Sequence, residues 1–223
     1  MKKAIIILGI LFTSFSFANN PLGGWLMYFG NFQLNNSNFK IQYEYQHRNH
    51  ELLYDLNQAL FRTALQYNLK NQIQLSAGYG FVQTEKTDIP NLPLREHRLY
   101  QEAGLQQNVL SIVLRHRFRH EQRFINQQDM RTRFRYLIAA DIPIIKKEEI
   151  GLQLYATFYN EIFINGEKYT LQNDTYFDRN RLYVAAGFKP TRNLAIQAGW
   201  MNQMQEKASV QQIMISLHHN LNL

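Results

Sequence analysis

Cysteine is absent from the 223 residues. That excludes disulfide scaffolds, thiolate metal centres, iron–sulfur clusters and cysteine nucleophiles. Proline is scarce, at 5, so little interrupts regular backbone pairing. Charged residues are only 18% and aromatics a high 13%, the reverse of a disordered composition. Long apolar runs are lacking beyond the amino terminus: the longest, 136–145, is broken by Asp141 and Pro143. A helix that crosses a bilayer needs about 20 apolar residues. What charge there is leans positive, +7 net.

The start of the chain is different. Lys2 and Lys3 precede an apolar run over 4–17, and Ser16-Phe17-Ala18 sets small residues at the two positions a signal peptidase reads. This pattern predicts a signal peptide over 1–18, cleaved near Ala18/Asn19, and an exported domain over 19–223. The run is short for a membrane anchor.

The body alternates with period two, which puts i and i+2 on one face of a strand. Phe39, Ile41, Tyr43 and Tyr45 oppose Lys40, Gln42, Glu44, Gln46 and Arg48. Leu110, Ile112, Leu114, His116, Phe118 and His120 oppose Arg115, Arg117, Arg119, Glu121 and Arg123. Phe134, Tyr136, Ile138 and Ala140 oppose Arg131, Arg133, Arg135 and Asp141. As helices, these segments would spread arginine around the whole circumference. Similar alternation recurs from Phe61, Ile73, Glu96, Leu152, Arg181, Leu194 and Gln212 onward. The first segment, near 25–34, is ambiguous in phase.

Segments of about ten residues or more exceed the usual soluble strand of about 5–6 and suit a tilted membrane strand of about 9–11. A soluble, secreted sandwich that binds a partner would turn the arginine face to water; a membrane barrel turns it inward and the apolar face to lipid. Short links (70–71, 106–108, 143–149, 190–193) alternate with longer ones (49–55, 85–94, 123–129, 166–178). Tyr67 and Phe188 lie by the short links, with Tyr79, Phe81 and Trp200 toward the other ends, as aromatic girdles would. The expectation is an all-β, transmembrane, up-and-down antiparallel β-barrel of ten to twelve strands. Eleven segments fit the pattern, but bacterial single-chain barrels have even numbers, so either the first segment is not a full strand or one strand is merged or missed.

The order of features resembles a known family. Trp25, a strand ending Gln46-His47-Arg48, Gly78-Tyr79-Gly80, Glu96-His97-Arg98 and Arg131-Thr132-Arg133-Phe134-Arg135-Tyr136 are similar to the uncharacterised outer-membrane barrels called domain of unknown function 2490. The resemblance runs from about Trp25 to the end. It implies an outer-membrane barrel and supplies no activity, cofactor or catalytic residue.

The densest charge lies in one hairpin. Folding 109–123 on 129–142 about Asn126 sets Arg119 opposite Arg133 and Arg117 opposite Arg135. Opposed like charges are destabilising, so carboxylates must be close. Glu96, Arg98 and Glu102 on the preceding strand, Glu121 within the hairpin and Glu161 on the following strand complete the cluster with Arg115 and Arg131. Two readings stand: an interior ion-pair lattice that stiffens a narrow barrel, or a constriction that attracts anions, so that the chain is a narrow anion-preferring pore.

A lipid-modifying enzyme is the alternative class, since such chemistry needs a nucleophile, a base and an orienting group. Ser216 and His218 share a face, but i and i+2 lie about 6–7 Å apart along a strand, too far for proton transfer. Ser111 and His116 face opposite ways. His47 with His50, His116 with His120, His97, and His218 with His219 form no placeable ligand set, so no metal or cofactor is expected. Tyr169, Tyr176 and Phe177 could bind glycans or fold over the mouth. Export argues against nucleic acid. The expected partners are outer-membrane lipid, lipopolysaccharide and the barrel-assembly machinery, for a monomer.

Overall fold

The computed structural model describes residues 21–35, 37–69, 72–86, 92–147, 149–168 and 175–222. The expected signal segment and Tyr169 lie outside them. Period-two patterning yields eleven strands: β1 (Gly23–Gln33), β2 (Phe39–Asn49), β3 (Leu56–Asn68), β4 (Ile73–Thr84), β5 (Leu94–Val109), β6 (Ile112–Ile125), β7 (Arg131–Lys147), β8 (Leu152–Asn165), β9 (Phe177–Thr191), β10 (Leu194–Met204) and β11 (Ser209–Asn222). Each pairs with its sequence neighbours, and β1 closes on β11 to complete one barrel. The sandwich architecture is thereby excluded.

Among the described residues the count is eleven, within the expected ten to twelve, so the even-number expectation fails and β1 is a full member of the barrel. Sequential hairpins reverse direction at each step, so with an odd number the first and last strands run the same way and closure must be parallel. Parallel pairing is observed from Gly23↔Gln212 to Gln33↔Asn222. It sets Trp25 between Met214 on β11 and Arg48 on β2.

Strands run further than the short links suggested. Residues 106–108 belong to β5, and the turn is Leu110-Ser111, with Leu110 at φ 57°. Pro143 is inside β7, where the pairing with β8 shifts register between Pro143 and Ile145. A proline cannot donate to the ladder, and a bulge removes the need. The alternation of link lengths persists: the strand ends flanking the shorter links (β1–β2, β3–β4, β5–β6, β7–β8 and β9–β10) lie at one end, and those flanking the longer links at the other. β1 begins at the long-link end.

The faces divide as alternation requires. Outside stand Phe61, Leu65, Phe118, Phe158 and Ile215, each 42–50% exposed. Inside, two walls differ. From β2 to β8 the wall is charged and polar. From β9 through β11 to β1 an apolar cluster stands among polar groups such as Arg181, Gln203 and Ser216: Tyr183, Ala185, Met201, Met214, Trp25 and Met27 are buried together, with Phe29 and Tyr159 packed against them. That wall explains the ambiguous phase of β1. Trp25, Met27 and Phe29 point inward and Leu26, Tyr28 and Phe32 outward, so both faces are apolar and alternation gives no contrast.

Candidate functional site

The charged wall gathers at the long-link end into a lattice. Glu121, 1% exposed, is its centre. Its Oε2 accepts from Arg133 Nη2 at 2.6 Å and Nε at 2.9 Å, and its Oε1 from Arg135 Nη1 at 2.7 Å and Arg119 Nη1 at 3.4 Å. Glu161 accepts from Arg135 Nη2 at 2.6 Å and Arg117 Nη2 at 2.7 Å. Glu102 takes Arg119 and stands 3.6 Å from Arg117. Glu96 bridges Arg98 at 2.8 Å and Arg123 at 2.5 Å. Asp178 joins Arg133 to Arg179, at 3.1 and 3.0 Å. Pairing of this kind offsets the cost of taking charges out of water.

The hairpin register is two residues from the expected one. Arg119 faces Arg135, Glu121 faces Arg133, and Arg117 faces Leu137. The turn centres on Gln127, at φ 61°, rather than on Asn126. The shift opposes Arg133 to a carboxylate in place of a like charge. Arg131 lies opposite Arg123 at the rim, outside the buried knot. Arg115 is far from it, paired with Asp141 at 2.9 Å near the short-link end, its side chain 43% exposed.

Aromatic plates fill the gaps between guanidinium groups, and sequence reading missed them. Phe163, 1% exposed, has Arg135 at 4.4 Å, Arg181 at 4.7 Å and Arg133 at 5.4 Å from its ring centre. Arg119 lies 4.5 Å from the Tyr100 ring. Such stacking compensates for lost hydration. Phe163 continues the inward face of Glu161 by two residues, so its phase was available.

Toward the short-link end the lattice gives way to a chamber of about 540 Å³. Trp25, Arg48, Arg62, Glu102 and Arg181 line it near the lattice, and Gln66, Gln74, Arg115, Gln197 and Asn220 line it near the short links. Pockets of about 300–1,000 Å³ are typical of small-molecule sites.

Ser216 and His218 also line the chamber, and here spacing misled. Ser216 Oγ and His218 Nε2 are 2.9 Å apart, because side chains lean along a strand as well as across it. His218 stacks on Phe29, 4.8 Å between ring centres. Among the described residues, no carboxylate hydrogen-bonds the other ring nitrogen to orient the base. Five of the remaining histidines each share a side-chain hydrogen bond with one neighbour: His97 with Tyr79 at 2.6 Å, His116 with Tyr136 at 2.8 Å, His120 with Gln101 at 2.9 Å, His50 with Asn57 at 2.9 Å and His219 with Tyr28 at 3.3 Å. Among the described residues no three His, Asp or Glu side chains gather as a metal site would require. Tyr176 is 50% exposed with Lys168 5.5 Å from its ring, and Phe177 starts β9.

The sequence profile of a family described as a protein of unknown function (DUF2490) matches residues 22–214. The chain belongs to the DUF2490 family. The match spans β1 to the middle of β11 and so takes in the lattice and most of the chamber lining of this DUF2490 protein, with Ser216, His218 and Asn220 beyond it. No curated protein matches the chain.

Proposed function

We propose that this chain is an outer-membrane barrel, closed at rest, that serves as a structural and ligand-holding barrel. The observation that carries the reading is its inverted polarity. Phe118 is 48% exposed on the outer face, while Glu121, three residues on, is 1% exposed inside. A continuous outer belt of this kind on a water-facing surface would invite association; against lipid it is the stable arrangement. Eleven residues at about 3.3 Å each and a tilt of about 40° rise roughly 28 Å, close to the apolar band of about 25 Å in outer-membrane barrels. The apolar run after Lys2 and Lys3 supports export. Lipid and lipopolysaccharide are then the surrounding partners, and assembly machinery acts during insertion. By the loop-length rule the lattice faces outward, the chamber opens to the periplasm, and β1 begins on the outer side.

A narrow anion-preferring pore is the second reading, favoured by the cationic surplus around the chamber. Conduction would require the buried Glu121 knot to part. An enzymatic role has less support, since the Ser216–His218 pair lacks an orienting carboxylate. Two measurements test the proposal. In planar bilayers the protein should be silent at low voltage; steady conductance overturns the closed reading. In cell fractions it should appear with outer membranes and shift on gels when heated; recovery in the soluble periplasm overturns the location.

A further inference from the structure

Most interior arginines are matched by carboxylates, but three around the chamber keep either charge or donors unmatched. Arg48 donates Nε to Gln46 Oε1 at 2.8 Å and Nη1 to Gln58 Oε1 at 2.6 Å, both neutral amides. Arg62, 6% exposed, uses one nitrogen, Nη2, on Glu44 at 2.6 Å; its Nε and Nη1 have no hydrogen-bond partner in the protein. Arg181 donates to Gln203 at 2.9 Å and stands 4.0 Å from Glu161, which already serves Arg135 and Arg117. The Tyr183 hydroxyl is likewise buried without a partner. Buried donors left unmatched are costly, and charged ones most of all. All four residues line the same cavity.

The second half of the site is apolar. Arg48 and Arg181 lie 3.9 and 5.1 Å from the Trp25 ring centre. Next to that ring the wall continues as Met27, Phe29, Tyr159, Tyr183 and Met214. A cavity with unmatched guanidinium donors on one side and aromatic and thioether surface on the other is complementary to a molecule with the same division.

We propose that the chamber binds an organic monocarboxylate with a compact apolar body, its carboxylate taken by Arg48, Arg62 and Arg181 and its body laid against Trp25, Met27 and Met214. This rests on the ligand-holding reading of the chamber, but not on the membrane location or on conductance. Binding measured on folded protein in detergent therefore succeeds or fails independently of both.

Trp25 supplies the readout. The chain has 2 tryptophans, and Trp200 stands on the outer face of β10, where its indole donates to Gln211 at 3.2 Å. Trp200→Phe leaves Trp25 as the single indole. Benzoate, benzyl alcohol, acetate and inorganic phosphate are titrated against its emission. Benzoate should give a saturable change; the other three, lacking either the charge or the ring, should bind at least about tenfold more weakly. Arg48→Gln and Arg62→Gln should each weaken benzoate about tenfold or more, the scale of a charge-assisted hydrogen bond. Arg62→Lys should retain more affinity than Arg62→Gln, and heat-shifted gels confirm that each variant is folded. A non-saturable benzoate response, benzyl alcohol or phosphate binding as tightly as benzoate, or unchanged affinity in both folded arginine-to-glutamine variants overturns the proposal. The ligand comparisons need no arginine variant, so they stand even where a substitution prevents folding.

Discussion

Glu121→Gln removes one charge from the centre of the lattice and keeps the side chain's shape. In the protein this carboxylate holds Arg133 through two contacts, at 2.6 and 2.9 Å, Arg135 through one at 2.7 Å, and Arg119 at 3.4 Å. Breaking a buried pair by removing one partner costs about 3–5 kcal/mol, because it leaves a buried charge uncompensated. Each of these arginines keeps a second carboxylate: Arg133 has Asp178 at 3.1 Å, Arg135 has Glu161 at 2.6 Å, and Arg119 has Glu102. The expected loss is therefore at the lower end, about 3 kcal/mol, or roughly 100-fold in the folding equilibrium. Urea titration of protein refolded into phospholipid vesicles, followed by tryptophan emission, measures it as a lower midpoint at unchanged slope. Glu51→Gln, in an exposed link, should stay within about 0.5 kcal/mol. A loss below about 1 kcal/mol at Glu121 would refute the view that these charges form a dry, mutually dependent knot.

The same titration tests two further features. Phe118→Arg, on the outer face of β6 at 48% exposure, should cost about 2–4 kcal/mol if the site faces the bilayer midplane; a change within about 0.5 kcal/mol would argue for water there. Gly78→Ala would place a methyl 2.5 Å from both the Thr63 carbonyl oxygen and the Tyr100 ring, whereas Gly104→Ala meets nothing closer than 3.7 Å. The first should lose about 1–3 kcal/mol through overpacking and the second little; equal effects would contradict the packing of Tyr100 over Gly78.

The inside face of most strands was readable from period-two alternation, because a strand between water or lipid on one side and a packed lumen on the other must alternate. Arg119, Glu121, Arg133 and Arg135 are thus assigned to one interior by their sequence positions. Where both faces are apolar, as in β1, that contrast vanishes and the phase could not be read. The same blind spot hid the Trp25–Met27–Met214 wall.

Local sequence determined strand identity, facing and the alternation of link lengths, since these depend only on neighbours two residues apart and on turn chemistry. Tertiary structure decided the rest. An odd number of strands closes through a parallel pair that no hairpin signal announces, and a two-residue change of register at Gln127 decides whether Arg133 meets an arginine or Glu121. Which guanidinium groups gather with unmatched charge or donors is a property of the closed ring, because Arg48 and Arg181, far apart in the chain, meet at Trp25 only when the barrel closes.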